Sequence, residues 1–284
     1  MRLFAVATGM LTVVALGGTT RAEAQDWTGP YVAGSIGAGF QRRNPSETIR
    51  FDTNLDGSFA DPVRTIAGAD AFAPGFCGGL AVGPTAAGGC TDDENGIDVG
   101  GRAGYDRQFG RVVVGGVVDV SRTQVVDSAT AFSVTPAFYS FTRELTHVTS
   151  LRGRAGFGNG RVLVYGTGGG AWGHVEQRFT TSNIVNTFVP SDDDADTDGD
   201  EGSGESVWGY QAGGGVEIGF GGRWLLTGEY LFTSLDNRDA SVIRAQGPAP
   251  ATNAFILVNA AGTEFRRSEP FEFQGVRAGL SYRF

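Results

Sequence analysis

The last fifteen residues, Pro270 to Phe284 (PFEFQGVRAGLSYRF), alternate in character to the final position, with Val276, Ala278, Leu280, Tyr282 and Phe284 on one face and Gly275, Arg277, Gly279, Ser281 and Arg283 on the other. A strand turns successive side chains toward opposite environments. This one asks for an apolar medium on a face tipped with aromatics and a polar medium on a face carrying two arginines. Lipid outside and a polar lumen inside is the division an outer-membrane strand meets.

Seven earlier segments share the period of 2: residues 29–40, 97–109, 111–121, 146–157, 161–174, 207–220 and 223–235, with 271–284 as the eighth. Most run to about 10–14 residues, near the ~9–11 a tilted strand needs to cross a membrane and longer than the ~5–6 of ordinary strands. Their connections alternate long and short: 41–96, 110, 122–145, 158–160, 175–206, 221–222 and 236–270. Short turns on one side and long loops on the other are the outer-membrane pattern. The spacing predicts an all-β fold: an eight-stranded antiparallel transmembrane up-and-down β-barrel with short periplasmic turns and four long extracellular loops.

The faces divide consistently. Trp208, Tyr210, Ala212, Val216, Ile218 and Phe220 oppose Gln211 and Glu217; Trp224, Leu226, Tyr230 and Phe232 oppose Thr227 and Glu229; Val112, Val114, Val118 and Val120 oppose Asp119 and Ser121; Leu151, Ala155 and Phe157 oppose Arg152 and Arg154. The inward set is Arg102, Asp119, Arg152, Arg154, Glu217, Glu229 and Arg277, with Arg283 as a further candidate. A barrel of about eight strands has an interior that side chains fill, so these charges are expected to pair as a plug; a narrow, gated ion path is the alternative. Trp27, Tyr31, Trp208, Tyr210, Trp224, Tyr282 and Phe284 read as interfacial girdles. The glycine-rich first and fifth segments leave their faces unassigned.

Glycine, 46 of 284 residues, suits tight turns and a crowded lumen and weakens any helical reading. Residues 1–24 (MRLFAVATGMLTVVALGGTTRAEA) have a basic start, a short apolar stretch and a small-residue end at Ala22-Glu23-Ala24. That is a secretory signal peptide cut before Gln25, leaving 25–284 as the barrel domain. The remainder has no apolar run long enough for a membrane helix, and only helices and closed barrels satisfy every backbone group in lipid. Cys77 and Cys90, the only cysteines, bracket a flexible segment without His or acid to complete a metal site, so a disulfide is expected. A net charge of −9 argues against a nucleic-acid partner.

Three motifs suggest chemistry. Asp194, Asp196, Asp198, Asp200 and Glu205 match the D-x-D-x-D-G-x5-E spacing of a calcium loop, although no helix flanks it and the uncompensated acids favour a solvated loop. A weaker echo begins at Asp52-Thr-Asn54-Leu-Asp56-Gly57, where Val63 stands in place of the closing Glu. Gly166-Thr-Gly168-Gly-Gly-Ala171 matches a dinucleotide fingerprint but lacks the helix that should follow. His147 and His174, the only histidines, sit in neither a G-x-S-x-G elbow nor an H-E-x-x-H helix. No catalytic residue and no cofactor other than a calcium ion in the acidic loop is expected.

The blocks WTGPY at Trp27 to Tyr31, GGRAGYDRQFGRVVVGGVVDV, LRGRAGFGNGRVLVYGTGGGAWG, GGGVEIGFGGRWLLTGEYLF and the closing VRAGLSYRF together resemble the small outer-membrane β-barrel proteins of Gram-negative bacteria. These are often described as porin-family or outer-membrane immunogenic proteins, with OmpA-like transmembrane barrels as wider relatives. The resemblance implies export through the periplasm, assembly by the outer-membrane insertion machinery acting on a terminal strand with Tyr282 and Phe284, contact with outer-membrane lipids and lipopolysaccharide, and loops that meet host or surface ligands. The functional expectation is a structural, envelope-integrity or surface-interaction role. A porin-like channel for ions or small solutes and a calcium-dependent surface binder are the alternatives.

Overall fold

Each of the eight alternating segments forms a strand, and their pairing closes on itself. The computed structural model describes residues 25–41, 47–191, 204–236 and 242–284. In chain order the strands are β1 (Gly29–Phe40), β2 (Ile49–Asp52), β3 (Gly75–Gly78), β4 (Gly96–Phe109), β5 (Val112–Ser133), β6 (Ala137–Asn159), β7 (Val162–Thr181), β8 (Thr187–Pro190), β9 (Gly204–Gly221), β10 (Trp224–Leu235), β11 (Ile243–Gln246), β12 (Thr263–Arg267) and β13 (Phe271–Arg283). The ring runs β5-β4-β1-β13-β10-β9-β7-β6 and back to β5, antiparallel throughout. Terminal strand β13 and first strand β1 close it, Tyr31 facing Arg283 and Phe40 facing Gln274.

On one side the strands join through two-residue turns, Gly110-Arg111, Gly160-Arg161 and Gly222-Arg223, whose glycines have φ of +64°, +59° and +56°. A glycine with positive φ at the first central position is what a hairpin turn matched to the twist of its strands requires. Inside the ring, glycine answers a different need. A Cβ on inward Gly169 would run into the Leu151 carbonyl, and one on Gly213 into the Tyr230 carbonyl, whereas outward Gly170 has nothing within 4 Å.

The outer wall is apolar. On β5, Val112, Val114, Val118 and Val120 are exposed and Arg122 ends the run. Ten residues at ~3.3 Å each, tilted by ~40°, give about 25 Å, the height of the apolar band on such barrels. Trp208, Tyr210, Trp224 and Phe284 face outward. Trp27 and Tyr31 do not: both are buried inside, where Arg283 lies over the Trp27 ring and Arg154 over the Tyr31 ring. Those two aromatics are lumen residues, because guanidinium stacking gives them a partner that lipid would not. The undecided faces resolve with Tyr31, Ser35 and Gly39 inward on β1 and Leu163, Tyr165 and Ala171 inward on β7.

The described parts of the long connections carry strands of their own. The segment 122–145 is a continuation of β5 and β6, paired from Val125–Leu145 up to Ser133–Ala137 after one register shift. On this hairpin sits a cap. Strand β3 pairs with the outer part of β5, and β2, β12, β11 and β8 form a second, four-stranded sheet. Between them lies an aromatic core of Phe51, Phe72, Tyr139, Phe141, Phe255 and Phe265 with Phe179 and Phe188 packed against it. The Phe265 ring is 5.5–6.3 Å from six others, Phe51, Tyr139, Phe141, Phe179, Phe188 and Phe255. Cys77 on β3 and Cys90 form a disulfide, Cα–Cα 6.3 Å.

Candidate functional site

Side chains fill the lumen in layers that follow the strands upward from the short turns. The lowest apolar layer is Trp27, Val113, Leu163, Tyr165 and Leu225. Above and against it lies an ionic layer. Val125, Leu145, Val148, Ala171, Val175, Val207, Leu235, Phe271 and Phe273 form a second apolar layer, and beyond that come a smaller ion cluster and the aromatic core of the cap.

The ionic layer holds five arginines and five carboxylates, all buried: Arg102, Arg152, Arg154, Arg277 and Arg283 with Asp98, Asp106, Asp119, Glu217 and Glu229. Arg277 binds Asp98 through Nε at 2.7 Å and donates to Asp119 at 2.9 Å and to Ser121 Oγ at 2.8 Å. Arg102 donates to Glu229 at 3.0 Å, and the Tyr165 hydroxyl donates to the same oxygen at 2.8 Å. Arg152 lies 3.6 Å from both Asp119 and Glu229 and joins the two groups. Arg154 pairs with Asp106 and donates to Glu217 at 2.8 Å, while Arg283 donates to Asp106 at 2.7 Å and to the Trp27 carbonyl at 2.5 Å. The formal charges cancel. Leaving one such charge unpaired costs about 3–5 kcal/mol.

All eight charges inferred from the sequence lie in this layer, including Arg283. Asp98 and Asp106 were missed, although they share the parity of Arg102 on β4; extending the period of 2 along that strand finds both. Arg277 pairs with Asp98 as well as Asp119, and Arg283 pairs with Asp106 and lies 3.9 Å from Glu217.

The upper cluster ties barrel to cap. Asp127 on β5 accepts from Arg143 on β6 at 2.5 Å and from Arg267 on β12 at 3.1 Å, and Arg267 reaches Glu47 at 3.0 Å. Arg143 also donates to the Glu269 carbonyl at 3.0 Å. Burial pushes the Glu47 carboxyl up to about 8 against the pull of Arg267. It pushes Asp93 up to about 6 against the Ser128 N–H that donates to it at 2.9 Å.

The other motifs form no site. Asp194, Asp196, Asp198 and Asp200 lie outside the described residues, as do 1–24, and of Glu205 only the backbone, paired with Val175, is described. At the Asp52 echo the carboxylate oxygens accept the Leu55 and Gly57 N–H groups, both at 2.7 Å. Among the described residues no group of three or more His, Cys, Asp or Glu is placed to hold a metal. Gly166 to Ala171 run within β7 with no turn. His147 and His174 stack at 5.3 Å on adjacent strands, and His174 Nδ1 is 3.5 Å from Ser206 Oγ, the outer limit of a hydrogen bond.

No family model matches the chain. It is similar to the 31 kDa outer-membrane immunogenic protein of Brucella melitensis biotype 1, 26% identical over 269 residues that cover 91% of this chain and 84% of that one, and equally to its counterpart in Brucella suis biovar 1. Among solved structures it is similar to the outer membrane protein OprG from Pseudomonas aeruginosa (9% identity, 91% of this chain and 98% of that one, TM-score 0.47) and to Neisserial surface protein A (9% identity, 90% and 98%, TM-score 0.37). The closed eight-stranded ring, its lipid-suited outer wall and the likeness to the Brucella proteins make this chain an integral β-barrel protein of a Gram-negative outer membrane.

Proposed function

We propose that the protein is a non-conducting, non-enzymatic barrel whose task is to hold a folded cap at the cell surface, in an envelope-integrity or surface-interaction role. One observation carries this reading: the apolar layer of Val125, Leu145, Val148, Ala171, Val175, Val207, Leu235, Phe271 and Phe273 lies across the lumen above a charge layer that is already neutral. An ion crossing it would shed its water without a compensating partner. The channel reading has the same layer against it. Two further parts of the proposal are removal of residues 1–24 and recognition of the Tyr282–Phe284 end by the insertion machinery. The first is supported by the basic start, short apolar stretch and small-residue end of that segment. Lipopolysaccharide and host or surface ligands of the cap are the partners this role implies.

Planar-bilayer recording of the refolded protein tests the reading. No discrete conductance is expected at any voltage up to dielectric breakdown; reproducible unitary steps would overturn it and restore the porin-like alternative.

A further inference from the structure

The three short turns share a residue that their geometry does not demand. Each begins with a glycine of positive φ, which the turn needs, and each continues with arginine: Arg111, Arg161 and Arg223. The second central position of such a turn accepts ordinary residues, and arginine makes up only 22 of the 284 residues. All three side chains are exposed. Within the described residues none of them makes a side-chain hydrogen bond or an ion pair, in contrast to the arginines of the lumen, each of which has a carboxylate.

A fourth arginine joins them. Arg107 is exposed near the same end of β4, its guanidinium 5.1 Å from the centre of the Phe109 ring. Phe109, Phe157, Phe220, Trp224 and Phe284 form an outward aromatic belt at these strand ends. Arg111, Arg161 and Arg223 therefore sit just beyond the belt, at headgroup depth on the periplasmic side, and Arg107 stands two residues inside Phe109 on the same outward face. Asp26 is the exposed carboxylate side chain nearby. In a chain of net charge −9 with a neutral lumen, this rim is a local excess of positive charge.

We propose that Arg107, Arg111, Arg161 and Arg223 form a collar that binds the phosphates of anionic phospholipids in the inner leaflet of the outer membrane. The guanidinium fork matches phosphate geometry, and the aromatic belt sets the depth at which the forks meet the headgroups. The collar anchors the short-turn end of the barrel while the cap projects from the other leaflet.

Native mass spectrometry of the refolded full barrel, titrated with phosphatidylglycerol or with phosphatidylcholine, tests this. Wild type should retain phosphatidylglycerol preferentially, and Arg111→Gln/Arg161→Gln/Arg223→Gln should weaken that binding on the order of 100-fold while leaving phosphatidylcholine unchanged. Heat-modifiable migration reports that the variant folds. Should it not fold, the wild type in 0.5 M salt and each single variant serve instead, with selectivity expected to collapse in the first and fall by about fivefold to tenfold in the second. Equal affinity of wild type for both lipids, or unchanged selectivity in variants and high salt, overturns the proposal. So does a triple variant that loses co-sedimentation with purified peptidoglycan but keeps its phosphatidylglycerol binding.

Discussion

Replacing Arg277 by methionine probes the ionic layer where it has least redundancy. The guanidinium holds Asp98 at 2.7 Å and Asp119 at 2.9 Å. Asp119 keeps Arg152 at 3.6 Å, but Asp98 has no other ion pair among the described residues. Arg277→Met therefore strands one buried carboxylate, and the cost is that of breaking a buried pair from one side, about 3–5 kcal/mol. Changing the stranded group as well, in Arg277→Met/Asp98→Asn, removes the uncompensated charge and leaves the loss of hydrogen bonds, ~1–2 kcal/mol. The double variant should thus be more stable than the single one by about 2 kcal/mol. Urea unfolding in lipid vesicles, followed by tryptophan emission, measures both; with a slope of ~3 kcal/mol/M a loss of ~4 kcal/mol lowers the midpoint by roughly 1.3 M. The reasoning fails if the single variant lies within about 0.5 kcal/mol of wild type, or if the double is the less stable of the two. Neither variant should conduct, because the apolar layer above is untouched.

Phe265→Ala, at the centre of the cap's ring cluster, should cost the cap ~3–5 kcal/mol and render its segments protease-sensitive while heat-modifiable migration of the barrel persists. Gly169→Ala should impair folding because its Cβ meets the Leu151 carbonyl, whereas Gly170→Ala, whose Cβ meets nothing within 4 Å, should fold like wild type; equal yields of heat-modifiable protein would contradict the inward and outward assignment. Glu47 and Asp93 have carboxyls raised above their ordinary values, so their contribution to cap stability is complete below pH ~4. It is lost as pH rises through about 6 for Asp93 and about 8 for Glu47. Hydrogen exchange in the cap, corrected for intrinsic rates, should be slower at pH 5 than at pH 8, and the difference should shrink in Glu47→Gln/Asp93→Asn.

What could be read in the sequence follows from what each segment faces. The membrane-spanning parts of the strands have lipid on one side and lumen on the other, so alternation and charge parity located them, and the turns were marked by glycines that their φ requires. The outer half of β5 is different: Asp127 to Phe132 are buried on both faces, one against the interior and one under neighbouring chain, so the period of 2 fades where the strand continues. That is why 122–145 read as a loop. The four strands of the cap sheet are four or five residues long, too short for periodicity to register. Pairing of Arg267 with Glu47 depends on loops meeting in space, and no local pattern carries it. Tyr31 and Trp27 were misplaced because aromatics at strand ends mark a membrane interface only when no buried guanidinium is there to stack on them.

The lumen charges do more than neutralise one another: they fix the register of the closure. A one-residue slip of β13 against its neighbours exchanges its two faces, sending Arg277 and Arg283 into lipid, where an arginine costs about 2–4 kcal/mol at mid-membrane and less near the interface. The same slip leaves Asp98 and Asp106 without the guanidiniums they now hold at 2.7 Å. It also turns Leu280 and Val276 inward, into a lumen already filled by buried charged side chains that offer them no apolar partner at that level. Every term has the same sign, so the native register is separated from its nearest competitors by far more than any single ion pair contributes to stability. The alternation that ends the chain therefore specifies closure as well as location, since the face that suits lipid can be outward only when the arginines find their five carboxylates inside.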